Sequence, residues 1–418
     1  MITSRHAQRL IGVIGAALAL IVIARAASGQ IAVRNQGFVP FSDAPIYYRG
    51  DVDDPIARLQ AQLDRGAVTL GYEPQHGYLR AVLDALKVPV SSQTLVFSKT
   101  SFQYKKISPQ HPRALYFNDD VYVGQVHDGK VLEFISFDAN QGAIFYILDE
   151  KQAEHPRFQR AELDCTTCHV AATTRNVPGV LIRSITTTPT GTQAPQTPSF
   201  VTGHDSPLSE RWGGWYVTGN AGTQPHMGVT DLSRVDTAAY LSPTSDVVAH
   251  LVLAHQTQMH NLITLTNYQT RLALYAQAPA QKYEGPAEEL VRYLLFANET
   301  PLAEPIAGTS GFAEAFAARG LRDGRGRSLR DFDLRTRIFK YPCSYLIYSE
   351  DFDALPAPVK TYVYHRLLEV LTGRDQSDDF ARLTKDDRRA VLDILLATKH
   401  GLPDEWNAYR TTKKGGSV

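Results

Sequence analysis

Between residues 164 and 169 the chain reads Asp164-Cys165-Thr166-Thr167-Cys168-His169. Two thiols three residues apart, followed at once by a histidine, form the C-x-x-C-H spacing of covalent haem attachment. The thiols reach the two vinyl groups on adjacent edges of a haem. The histidine is thereby carried beneath the iron, where an imidazole nitrogen is a good axial ligand. The same spacing has two other uses. A thioredoxin-like redox pair sits between the strand and helix of a βαβ unit, and that pattern is missing here. A structural zinc site needs further ligands at short spacing, and the one other cysteine, Cys343, stands far along the chain. Cys165 and Cys168 are therefore expected to carry one covalent haem c with His169 as proximal ligand. Cys343 is then left without an intrachain partner. It lies in the aromatic stretch Lys340-Tyr-Pro-Cys-Ser-Tyr345, where an inert buried thiol is expected.

The beginning of the chain supports that assignment, because haem of this type is attached after export. Arg5, His6 and Arg9 precede an apolar run from Leu10 to Ala24, and the small-residue stretch Ala24-Arg25-Ala26-Ala27-Ser28-Gly29 follows. These are the three zones of a secretory signal peptide over residues 1–26, with Ala24-Arg-Ala26 as the cleavage site. The apolar run is shorter than the ~20 residues of a full span, and no later stretch is apolar enough to cross a membrane. The protein is expected to be periplasmic or otherwise exported, touching a membrane only through this segment if it stays uncleaved. Lys plus Arg and Asp plus Glu both number 43. Removing Arg5, Arg9 and Arg25 with the signal leaves 43 − 3 = 40 basic against 43 acidic residues, a net charge of −3. A chain without a basic field is not expected to bind nucleic acid.

Periodicity divides the remainder into three stretches. Residues 30–155 read as a mixed α+β region. Ile56, Leu59 and Leu63 fall at helical spacing in Pro55–Asp64, and Tyr78–Leu86 repeats the pattern. Five β-rich runs then follow at 94–97, 114–117, 121–126, 131–137 and 143–148, with the hairpin signal Asp128-Gly129 between two of them. Residues 156–244 form the haem-attachment segment, loose and rich in Pro, Gly, Thr and Trp. A haem suits such irregular chain, because it supplies apolar surface of its own. Residues 245–418 form a helical region packing on the haem segment, with helices expected over 245–277, 287–297, 311–318, 358–372 and 385–399. The fold class expected is α+β, mostly α, with a small N-terminal antiparallel sheet, an irregular haem-binding segment and a helical C-terminal half.

With these residues in view, the sequence resembles the c-type cytochromes. In their monohaem domains a proline soon after the motif holds the proximal histidine through its carbonyl. Here Asn176-Val-Pro178-Gly179 stands in that place, so the resemblance implies that Pro178 orients His169, as an outer-shell group fixes a metal ligand. From about residue 110 to 400 the chain also resembles large single-haem bacterial proteins described only as cytochrome c domain-containing, which bring no assigned activity. The shared phrases are Arg211-Trp-Gly-Gly-Trp-Tyr-Val-Thr-Gly219, His226-Met227-Gly228, Met259-His260-Asn261 and Tyr341-Pro-Cys-Ser-Tyr345. The chain is far longer than a compact cytochrome, and the usual terminal-helix pair is not evident.

Three methionines limit the sixth iron ligand, and Met1 leaves with the signal. Met227, 58 residues after His169 in the Gly/Pro-bearing loop 222–228, is the favoured distal ligand. Met259 and His255 are alternatives, four apart on one face of the long helix, and His226 and His204 are weaker ones. A methionine ligand would raise the potential relative to two histidines. Trp212 and Trp215, with Tyr216, are candidates for walling the haem pocket. One-electron transfer with a redox protein partner is the leading function. A peroxidase-like enzyme or a haem-based sensor with an open iron site is the alternative.

Overall fold

The structure, a computed structural model, describes residues 39–411; the signal segment lies outside them. Six strands come first in chain order: β1 Thr94–Val96, β2 Arg113–Phe117, β3 Val121–Gln125, β4 Val131–Asp138, β5 Gly142–Asp149 and β6 Phe158–Arg160. A short pair, β7 Arg183–Ile185 and β8 Ser199–Val201, stands apart, and β9 Trp215–Tyr216 rejoins the main sheet. That sheet has seven antiparallel strands in the order β6-β5-β4-β3-β2-β1-β9. Asp128-Gly129 makes the turn between β3 and β4, with Asp128 at φ 53° and Gly129 N–H bonded to Val126 O at 2.8 Å. An aspartate accepts that left-handed geometry more readily than most side chains. The fold is mixed α+β: the sheet fills the N-terminal half and helices the C-terminal half. Because β6 and β9 both come from the 156–244 stretch, that stretch shares a sheet with the region before it.

Two helices cover one face of the sheet, α1 Pro55–Asp64 and α2 Leu79–Ala85. Ile56, Leu59, Val82 and Leu83 pack there against Tyr116, Phe134 and Ile144. Asp54 caps α1 by accepting from Ile56 N and Ala57 N, and its second oxygen takes the Tyr146 hydroxyl at 2.6 Å. One buried carboxylate thus both starts the helix and ties it to β5.

The opposite face meets α3 Glu162–His169 and α4 Val247–Tyr275, and the remaining helices build outward from α4: α5 Gln281–Leu294, α6 Phe312–Ala318, α7 Glu350–Asp353, α8 Ala357–Leu371, α9 Lys385–Thr398 and α10 Asp404–Thr411. The axis of this half is α4, 29 residues and about 43 Å long at 1.5 Å per residue. It is capped by Asp246 and buried on nearly every side from Val247 to Tyr268. Phe117, Tyr122, Phe137 and Phe145 on the sheet share its core. Sequence spacing places the start of α5 at Ala287, after Pro286. The structure starts it at Gln281, with Pro286 inside. Pro286 removes one amide donor in an opening turn whose Lys282 and Gly285 are exposed, where water can satisfy the freed carbonyl.

Candidate haem-attachment site

The motif forms α3, eight residues without one buried side chain. Glu162 and Asp164 in the first turn suit the positive end of its dipole, and Arg49 Nε binds Glu162 at 2.8 Å. So short a helix gains little from propensity alone and depends on packing. Yet Leu163 is 76% exposed and Cys168 is exposed, while Cys165 is only partly covered. Cys165, Cys168 and His169 sit at i, i+3 and i+4, so all three share one face. Both thiols are free. Burial pushes the Cys165 thiol up to about 11, with Glu133 and Asp164 adding to it, so it stays protonated at neutral pH.

His169 is oriented by its backbone surroundings. Its Nδ1 lies 2.9 Å from the carbonyl of Gly179, and only a protonated nitrogen suits an oxygen acceptor. Nε2 therefore keeps its lone pair. Burial lowers the imidazole pKa, with Arg113 acting in the same direction, so the ring is neutral at pH 7, the form that binds metal. The acceptor is Gly179 and not Pro178, which corrects the expectation drawn from the cytochrome resemblance. Along this stretch successive carbonyls turn to opposite sides. Pro178 O faces the β5 amide of Ala143 at 3.4 Å, and the next carbonyl reaches His169. Gly179 N–H in turn donates to His169 O at 3.0 Å.

Asn261 on α4 clamps this stretch from the other side, a role not read from the sequence. Its Oδ1 accepts from Val180 N at 2.9 Å and its Nδ2 donates to Val180 O at 2.7 Å. A Cβ on residue 179 would stand 2.2 Å from Asn261 Oδ1, so this position admits only glycine without movement. Gly179→Ala should therefore shift the clamp and the His169 acceptor together. The expected cost is ~1–3 kcal/mol, the range of overpacked sites, read in urea unfolding with altered visible absorption of the haem. An unchanged spectrum at lowered stability would show that the clamp does not position His169.

Beside α3 the sheet leaves a strip partly uncovered. The face that carries Phe117, Tyr122 and Phe145 also carries Arg113, Leu115, Glu133, Ile135 and Ile147, by strand register. Burial alternates along β2 and β4, with Arg113, Leu115, Glu133 and Ile135 each less covered than its neighbours, and Ile147 is likewise partly exposed on β5. Apolar side chains at the middle of a seven-stranded sheet are ordinarily covered by a second layer. Arg113 and Glu133 form an ion pair here, and both charges, with that of Arg183 on β7, act on His169. Phe145 holds its ring 5.1 Å from the His169 ring.

The distal candidates lie elsewhere. Met227 Sδ accepts from Ser184 Oγ at 3.7 Å, and neighbouring strand residues point to opposite sides, so it packs across β7 from Arg183. Met259 is 0% exposed. It lies two residues, about 200° of helix, from Asn261, which marks the side of α4 that meets the attachment segment. His255 shares a hydrogen bond of 2.8 Å with His204 Nδ1 and another of 2.8 Å with Ser344 Oγ. His226 Nδ1 accepts from Gly228 N at 3.1 Å. Trp215 supports β7 by donating Nε1–H to Arg183 O at 2.8 Å, and Trp212 packs against His226 and His250. Both tryptophans are core residues. Among the described residues the one aromatic ring packed on His169 is Phe145.

The donor set fits a covalent haem: two unbridged thiols and a neutral imidazole on one helical face, one ring nitrogen spent on a carbonyl and the other free. The partly uncovered Leu115, Ile135 and Ile147 beside them would shield such a group from water on one side. In comparison with known proteins, no family model, curated protein or solved structure matches this chain.

Proposed function

We propose that the chain is an exported monohaem c-type cytochrome that passes single electrons between protein partners. The observation that carries this reading is His169, tautomerically fixed by Gly179 O on the helical face that presents Cys165 and Cys168. A bound haem would supply a one-electron iron couple. Cys165 and Cys168 would hold it through two thioethers. His169 Nε2 would serve as proximal ligand, with Nδ1–H kept on Gly179 O to preserve tautomer and basicity. Leu115, Ile135 and Ile147 would exclude water on one side. The signal segment supports a periplasmic or otherwise exported location. Met227 is the distal ligand we favour, because it is part-exposed on a short loop, whereas delivering Met259 or His255 would dismantle the core.

A second reading, a peroxidase-like enzyme or sensor with an open iron, is favoured by Met227 packing on Ser184 rather than beside His169. Stopped-flow mixing of the reduced protein with CO separates the two. Slow CO binding beside rapid exchange with ferricyanide is the expected result, together with a near-infrared thioether-to-iron band that disappears in Met227→Ala. Fast CO binding to a high-spin ferrous protein would replace the shuttle with the open site.

A further inference from the structure

The loop between β1 and β2 faces two ways. Ser101 Oγ and Gln103 Nε2 both donate to Glu133 Oε1, at 2.6 and 2.8 Å. Gln103 also donates to Val131 O at 3.1 Å and accepts from Lys130 N at 2.9 Å. These bonds pin the loop to the start of β4, beside the carboxylate whose charge reaches both Cys165 and His169. The alternate residues point outward: Phe102 is 51% exposed and Tyr104 47%. Lys105, Lys106 and Lys130 are exposed around them. Among the described residues Lys399 is the one lysine in an ion pair, so none of these three is engaged in one, although Glu150 lies beside Lys130, its N–H bonded to Lys130 O at 2.9 Å. Asp128 is the acidic residue in the adjoining turn. Single exposed rings are commonplace. Two rings on a tethered loop, accompanied by three cations outside any ion pair in a chain whose net charge after signal removal is 40 − 43 = −3, make a distinct surface.

We propose that Phe102, Tyr104, Lys105, Lys106 and Lys130 form the docking surface for an acidic redox protein, a proposal that rests on the haem reading. The lysines would steer a partner of opposite charge, and the aromatic rings would supply the desolvated contact. The loop connects to the motif through Glu133, to which it is bonded and whose charge acts on Cys165 and His169. An anionic membrane surface is the competing occupant. It is disfavoured because three lysines contribute only ~1 kcal/mol each at a charged bilayer and two rings form no continuous apolar face.

The test uses the haem-loaded protein, with covalent haem confirmed first on a stained denaturing gel. The reduced protein is mixed with oxidised acidic plastocyanin at ionic strengths of about 10 and about 150 mM, where the screening lengths differ about fourfold. Lys105→Glu/Lys106→Glu/Lys130→Glu should slow the second-order exchange at least ~10-fold at the lower salt, and the gap should close at the higher. Phe102→Ser/Tyr104→Ser should slow it at both. Equal rates in all three proteins, with haem intact, would overturn the docking surface alone. Binding to phosphatidylglycerol vesicles that the lysine variant loses, with unchanged plastocyanin rates, would overturn it in favour of a membrane. A gel without haem stain would remove the haem reading and this proposal together.

Discussion

Replacing both Cys165 and Cys168 by alanine is expected to abolish covalent haem completely, while either single change leaves a residual signal from the remaining thioether. Each thioether forms by adding S–H across a vinyl double bond: sulfur bonds one carbon, the thiol hydrogen goes to the other, and no oxidant is consumed. Such chemistry needs reduced thiols. Cys165 and Cys168 meet that need as unbridged thiols, and burial, with Glu133 and Asp164, pushes the Cys165 pKa up to about 11, so it keeps its proton. A redox-active pair would show the reverse, a thiolate favoured by nearby positive charge. The fold should survive the double change, because α3 contributes no buried side chain. Haem-stained denaturing gels and pyridine haemochrome spectra read the result. Covalent haem retained in Cys165→Ala/Cys168→Ala, or absent from the unaltered protein, would sink the assignment.

The elements with a clean period were legible in the sequence. The five β-rich runs at 94–148 each became a strand, and α1 fills Pro55–Asp64 because Asp54 and Pro55 announce its start. The partly uncovered strip was not legible. In β2 and β4 apolar residues occupy both alternating sets, Ala114 and Tyr116 against Leu115, and Leu132 and Phe134 against Val131 and Ile135. Which set lacks a covering layer depends on how α3 and α4 pack, and no local period records that. The Gly179 acceptor was missed by one residue, because the direction of a carbonyl is set by φ and ψ rather than residue type. His250, His255 and His260 repeat every fifth position, about 140° apart round a helix for successive pairs and about 80° for His250 and His260, so no single face holds all three. The structure gives each its own partners: Tyr216 O for His250, His204 and Ser344 for His255, Asp351 for His260.

The last of these histidines carries the largest stability effect we expect. His260 Nδ1 lies 2.9 Å from Asp351 Oδ2 and Nε2 lies 2.8 Å from Asp119 O. Both ring nitrogens face acceptors, so both must carry protons and the ring is an imidazolium. It stacks on Phe137 at 3.8 Å and is shut off from solvent. Burial alone would lower the His260 pKa. The Asp351 carboxylate outweighs that and raises it above its ordinary 6.5. For Asp351 burial works upward, and the His260 charge and hydrogen bond win, holding its carboxyl below 3.8. A histidine raised on folding contributes stability that is full below pH 6.5 and fades as pH climbs through the folded value. A depressed aspartate contributes above pH 3.8 and loses that only in stronger acid. The pair is therefore worth most between about pH 4 and 6.5. Neighbouring Asp120, which burial and Asp119 push up to about 6, also feels Asp351 and His260, so its titration shifts with the substitution and forms part of the measured difference. Asp351→Asn leaves the ring buried without its counter-charge and should cost ~3–5 kcal/mol near pH 5.5. The ring can meet that loss only by shedding its proton, so the penalty should shrink toward pH 9. Urea unfolding of both proteins at the two pH values measures it. A penalty that does not change with pH would mean that Asp351 acts by packing rather than as the partner of a charged histidine.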